Sequence, residues 1–167
     1  FKQKTAYEIY QCDWSSDVCY SDLNWNLYRG LLGNPALKPS AADIQRAFDH
    51  YREMLRVRYS STLFRMDTAA QVQQGLTFLN VGPAQQPGVI AMKLSGTVSA
   101  TNPYRNVVVV FNATGQSVTL SDSALAGLNL SLHPALAAGT DATVKGSRAS
   151  GNSVTVPALT TAVFVGK

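Results

Sequence analysis

Residues 106–112, Asn-Val-Val-Val-Val-Phe-Asn, are the most constraining stretch of this 167-residue chain. An unbroken apolar run of this length, rich in β-branched side chains, is expected of a central strand covered on both faces. It has company. Residues 75–81 alternate in polarity, and residues 89–94 follow after Gly82-Pro83 and Pro87-Gly88. Residues 117–120, 128–132, 153–156 and 160–165 complete a set of about seven short strand candidates bounded by turn residues. From about Asp67 onward the chain has strand character throughout, and one helix only precedes it. That order predicts a mainly β fold: an antiparallel β-sandwich preceded by one long amphipathic helix.

The helix is expected within residues 40–64, SAADIQRAFDHYREMLRVRYSSTLF. Pro39-Ser40 supplies a stop and an N-cap, and Asp43 sits three residues on, where a carboxylate suits the open N–H groups of the first turn. Ile44, Ala47, Phe48, Tyr51, Met54, Leu55 and Arg58 follow helical spacing and place an apolar stripe on one face. Arg46, Asp49, Arg52, Glu53 and Arg56 fall mostly on the other, with Asp49–Arg52 and Glu53–Arg56 spaced for weak surface pairs. Tyr59-Ser60-Ser61-Thr62 loses good helix formers and ends the helix. Residues 61–64 then read as a plug docking helix to sheet. In front of the helix, residues 24–39 are punctuated by Gly30, Gly33, Asn34-Pro35 and Pro39 and read as a loop. Within it, Asn24-Trp25-Asn26 could contact a sugar ring by stacking and hydrogen bonds; the alternative is a loop pinned to a scaffold by its Trp.

Residues 1–23 differ from the rest. They hold both cysteines, Cys12 and Cys19, and show neither helical nor strand periodicity. Residues 2–8 and 12–19 resemble the in-frame translation of a short-read sequencing adapter. The expectation is an unstructured, non-native artefact; the alternative is a leader whose cysteines pair or bind metal. A lone C-x6-C with no histidine is a poor metal signal.

Charged residues make up 14% of the chain, with small and β-branched residues in their place, which suits an all-β secreted or extracytoplasmic module. No apolar run approaches membrane-spanning length. The net charge is +4, but the arginines gather on the helix without interleaved aromatics, so neither a nucleic-acid nor a membrane partner is expected. Catalytic chemistry is missing as well. His50 and His133 lie in no nucleophile motif and read as surface or satisfied histidines. Glycoside hydrolysis needs two carboxylates across a cleft. Beyond residue 23 only Asp43, Asp49, Glu53, Asp67, Asp122 and Asp141 remain, and Asp49 with Glu53 reads as a solvated face among arginines. No metal cluster and no cofactor signature is present. Asn112-Ala113-Thr114 and Asn129-Leu130-Ser131 are sequons of a kind that arises often by chance.

Several segments together resemble one family. They are Asn24-Trp25-Asn26, the helix end at residues 51–64, Val72-Gln73-Gln74-Gly75-Leu76-Thr77-Phe78-Leu79-Asn80-Val81-Gly82-Pro83, residues 107–112, and the ending at residues 157–165. The combination, covering essentially all of residues 24–167, is similar to the C-terminal part of bacterial pullulanase-type alpha-1,6-glucosidases, debranching enzymes of the alpha-amylase superfamily. Thr62 stands where that family usually has Pro. The resemblance implies a (β/α)8 barrel followed by a sandwich. Residues 24–66 would be the loop and last helix of the barrel, and residues 67–167 the sandwich that stabilises it. The implied activity is cleavage of alpha-1,6 branch bonds in pullulan, glycogen and starch dextrins. The implied partners are the barrel of the same polypeptide and its alpha-glucan substrate, in an extracellular or periplasmic setting. The family's catalytic carboxylates lie upstream of Asn24, so no catalytic residue carries over. Trp25 and Asn26 would fall near the rim of the active-site face as minor substrate contacts. Two other readings stay open: a free-standing carbohydrate-binding sandwich, which needs exposed aromatics along one sheet face, and a structural module, whose stripe of Ile44, Phe48, Tyr51 and Leu55 would be left exposed.

Overall fold

The computed structural model describes residues 25–167; the adapter-like segment and Asn24 lie outside the described residues. The chain divides into two compact units, residues 1–43 and 44–167.

The described part of the first unit is helical where a loop was expected. Helix α1 spans Trp25–Leu32, and a 3-10 turn spans Pro35–Leu37. Trp25, Tyr28 and Leu31-Leu32 do stand at helical spacing; Gly30 hid this, since an interior glycine costs about 1 kcal/mol against Ala without forbidding a helix. Gly33 N–H closes the helix on Arg29 O at 3.0 Å, and Asn34 caps the 3-10 turn by accepting from Ala36 N–H at 3.0 Å. Helix α2 then spans Ala41–Tyr59. Its start is a reciprocal box: Ser40 Oγ accepts from Asp43 N–H at 3.2 Å, while Asp43 Oδ2 accepts from Ser40 N–H at 3.0 Å.

The second unit is the predicted antiparallel sandwich. Its five-stranded sheet has the order β1-β2-β3-β8-β5 and its three-stranded sheet the order β4-β7-β6. The larger sheet comprises β1 (Leu76–Leu79), β2 (Val89–Ser95), β3 (Asn106–Asn112), β5 (Ser131–Leu132) and β8 (Thr160–Gly166). The smaller comprises β4 (Val118–Ser121), β6 (Arg148–Ser150) and β7 (Ser153–Val156). β3 lies at the middle of its sheet, in register with β2 from Val89↔Asn112 to Ser95↔Asn106 and with β8 from Asn106↔Gly166 to Asn112↔Thr160. Side chains alternate between faces along each strand. Val108, Val110, Ala162 and Phe164 therefore share one face, and with Leu120, Val154 and Val156 of the smaller sheet they belong to the buried core. Val107, Val109, Val163 and Val165 share the other, where Met54 and Val57 of α2 and Leu63 and Phe64 of the following 3-10 turn line one cavity with Val109 and Val163.

Several expectations are corrected. Strand character is not continuous from Asp67: helix α3, Ala69–Gly75, precedes β1, started by Thr68 Oγ1 accepting from Gln71 N–H at 3.2 Å. Good helix formers, Ala-Ala-Gln-Val-Gln-Gln, sit between that cap and Gly75. Of residues 128–132 only Ser131–Leu132 pairs, because Asn129 takes a left-handed φ of 47° that breaks the strand. β6 was missed; it forms a hairpin with β7 through Gly151, whose φ of 59° glycine adopts at little cost. Phe111, at the end of the apolar run, is 38% exposed.

Candidate functional site

Helix α2 is the element on which the unit's unusual chemistry converges, and its faces are not those the pattern suggests. Glu53, assigned to a solvated face, is 3% exposed and Val57 is equally buried. They stand one turn apart and define the side of α2 that meets the sandwich. The opposite side carries Ile44, Phe48, Tyr51 and Tyr59, which are 59%, 54%, 63% and 66% exposed, with half-buried Leu55 between them. The apolar stripe is real, but it points away from the sandwich. Arg52 lies over the Phe48 ring at 5.5 Å and holds Asp49 at 3.9 Å, the surface pair the spacing anticipated. Glu53 does not pair with Arg56; it turns inward.

Three polar clasps tie α2 and its exit to the sandwich. Glu53 Oε1 accepts from Thr140 N–H at 2.6 Å and from Thr140 Oγ1 at 3.0 Å. Gly139 packs flat on the same carboxyl group: a Cβ there would sit 2.6 Å from Glu53 Cδ. That contact leaves no room for a substrate, so Glu53 is a structural anchor and not half of a hydrolytic pair. In the second clasp, Ser61 Oγ donates to Asn102 Oδ1 at 2.5 Å, and Asn102 Nδ2 donates to Thr97 O at 2.9 Å. Ser61 and Asn102 are both buried, as the plug reading of residues 61–64 requires.

The third clasp has the outline of a nucleophile and its base. Ser60 Oγ lies 2.9 Å from Nε2 of His133, which is 2% exposed. The hydrogen bonds run the wrong way for catalysis. His133 begins the short helix α4, Pro134–Ala137, and its Nδ1 accepts from Ala135 N–H at 3.1 Å. The ring proton must therefore sit on Nε2, which donates to Ser60 Oγ, and the Ser60 hydroxyl in turn donates to Val57 O at 2.7 Å. A serine activated by histidine needs the opposite tautomer, with Nε2 free to accept and Nδ1 donating to a carboxylate. Burial lowers the His133 imidazole below its ordinary value of 6.5, and Tyr104 meets its edge at a centroid distance of 5.6 Å. This is the satisfied histidine expected from the sequence.

Of the sequence-predicted contacts, Trp25 is the first residue of α1, and Asn26 follows it with its side chain exposed. No group of three metal-ligating side chains occurs among the described residues. Asn112, the first sequon, is buried: its Nδ2 donates to Gln116 O and Pro157 O, each at 2.8 Å, and its Oδ1 accepts from Thr114 N–H at 2.9 Å. The anchoring roles that sequence reasoning missed are those of Glu53, Ser60 and Thr140. Their partners are 73 to 87 positions apart in the chain, so no local signal announces them.

Comparison with known proteins agrees with this architecture. Residues 21–167 match the family model described as alpha-1,6-glucosidases, pullulanase-type, C-terminal. A chloroplastic pullulanase 1 of Arabidopsis thaliana is 38% identical over 151 residues, 85% of this chain and 16% of that protein. A pullulanase of Klebsiella pneumoniae is 30% identical over 131 residues, 75% of this chain and 12% of that protein. The crystal structure of Klebsiella pneumoniae pullulanase complexed with maltotriose superposes with a TM-score of 0.67 at 31% identity, covering 76% of this chain and 12% of that one. A pullulanase complexed with maltotriose from an Anoxybacillus species, 18% identical with a TM-score of 0.55 over 77% of this chain and 16% of that one, shares the fold. The chain thus spans less than a fifth of the length of these relatives. A plant protein stands among them, so the likeness is not confined to bacteria. With its helix-then-sandwich architecture and a match over residues 21–167, the chain belongs to the family of pullulanase-type alpha-1,6-glucosidases, as their C-terminal part.

Proposed function

We infer that this chain serves a debranching glycoside hydrolase that cleaves alpha-1,6 bonds in pullulan, glycogen and starch dextrins, and that it contributes no catalytic group itself. Residues 24–66 are the end of the catalytic barrel, residues 67–167 the sandwich domain, and α2 the joint between them. The observation that carries this reading is the two-sidedness of α2. One side is clasped to the sandwich through Glu53 and Val57, while large apolar side chains line the other. An apolar face of this kind marks a protein contact in a soluble protein. A barrel seated on Ile44, Phe48, Tyr51 and Leu55 would bury it. Trp25 and Asn26 would then lie near the rim of the active-site face as minor contacts to the glucan.

The test is a chimera in which residues 24–167 replace the matched C-terminal part of the Klebsiella pneumoniae pullulanase. We expect it to hydrolyse pullulan and to outlast, on heating, the same enzyme lacking any sandwich. Phe48→Asp should abolish that gain while leaving the fold of the 167-residue chain intact. Pullulan turnover by the 167-residue chain alone, or a chimera no better than the truncated enzyme, would overturn the reading.

A further inference from the structure

A cleft of about 710 Å³ opens beside the joint, between the 3-10 turn Thr62–Arg65, helix α3 and the end of β2. Its volume lies in the range of small-ligand sites, roughly 300–1,000 Å³. Arg65, Asp67, Gln71, Gln74 and Thr97 face it, over an apolar floor that includes Leu63. The wall is held by a structural residue: Asn102 is buried, accepting from Ser61 and donating to Thr97 O. Several side chains in front of it keep polar atoms without a partner among the described residues. Gln71 uses its Oε1, accepting from Asp67 N–H at 3.1 Å, and its amide nitrogen has no partner among the described residues. Within the described residues the Asp67 carboxyl, the Gln74 amide and the Thr97 hydroxyl have no hydrogen-bond partner, while Arg65 rests over the Tyr59 ring at 5.1 Å.

The chemistry of this set is selective. Amides, a hydroxyl and a carboxyl match a ligand whose groups both donate and accept, as sugar hydroxyls do. One acidic and one basic side chain offer no net charge to a phosphate or polyanion. An apolar floor beneath them suits the C–H face of a pyranose. We propose that this cleft is a binding site for a neutral oligosaccharide of alpha-linked glucose. The cleft itself selects a sugar; the choice of alpha-glucan rests on the function inferred above. Such a site would hold a branched polymer beside a barrel and raise its local concentration there.

The test is a titration of the isotopically labelled 167-residue chain with maltotriose, and separately with cellotriose, followed by amide chemical shifts. Maltotriose should shift Asp67, Gln71, Gln74 and Thr97 saturably, with a dissociation constant on the order of 1 mM. Asp67→Ala and Gln74→Ala should each weaken binding about fivefold, the loss of one hydrogen bond. Both residues are exposed and away from the core, so the thermal midpoint of each variant should match that of the parent chain. No shift with either sugar, or a maltotriose response indifferent to both substitutions, would overturn the site. Equal binding of cellotriose would overturn its assignment to alpha-glucan. None of these outcomes depends on whether the chimera hydrolyses pullulan, so the two inferences fail separately.

Discussion

The two faces of the five-stranded sheet are built by different physics. On one, Val108, Val110, Ala162 and Phe164 join Leu120, Val154 and Val156 of the second sheet in a core that excludes solvent. On the other, α2 supplies Met54 and Val57, and the rest of its hold is polar: Glu53 on Thr140, Ser60 on His133, Ser61 on Asn102. Apolar packing rewards area and tolerates sliding. Hydrogen bonds to buried groups are directional, and they penalise any rotation that leaves a donor unpaired. The sandwich core therefore supplies stability, whereas the clasps set which side of α2 faces outward. A helix that must present one stripe to a second body gains from being fixed in rotation.

This contrast can be broken at its strong end first. Phe164→Ala removes a fully buried ring from the core between the sheets and should cost about 3–5 kcal/mol, read from denaturant midpoints with an unchanged slope. Glu53→Ala should cost less, about 1–3 kcal/mol, because it removes a buried carboxyl group that accepts two hydrogen bonds from Thr140. Hydrogen exchange separates the two variants. Glu53→Ala should release Thr140 and the middle of α2 while the amides of β3 and β8 keep their protection. Equal loss of protection in both regions would mean that clasp and core form one cooperative unit.

The smallest expected effect is a pH slope from His133. Burial lowers its folded value below 6.5, so the unfolded chain binds a proton at a pH where the folded chain does not. Stability from this residue is complete above 6.5 and falls as the pH drops through the lowered folded value. Protonation would also deprive Ala135 N–H of its acceptor, Nδ1. Thermal midpoints measured across that window should decline more steeply for the parent chain than for His133→Gln. Parallel curves would show that the clasp contributes no proton linkage.

Much of this architecture was legible in the residues. The run Asn106–Asn112 became the middle strand with its predicted ends, since a four-valine stretch satisfies itself only between two layers. The Ser40–Asp43 start of α2 and the Asp49–Arg52 pair were readable because both are contacts within one turn. Helices α1 and α3 were overlooked because Gly30 and the strand-rich context outweighed short runs of ordinary helix formers. Of the proposed cleft, nothing was legible: it unites residues 62–75 with residues 95–102, which meet only once β1 and β2 pair.

By itself the sequence determined the class of fold, the position of the long helix and its apolar stripe, because each follows from local periodicity and from turn residues acting over a few positions. Only the tertiary structure decided what that stripe faces. Glu53, Ser60 and Ser61 find Thr140, His133 and Asn102 across gaps of 41 to 87 residues, and these distant partners fix the rotation of α2 on the sheet. Periodicity records that a face is apolar; the packed chain alone determines which body that face can reach.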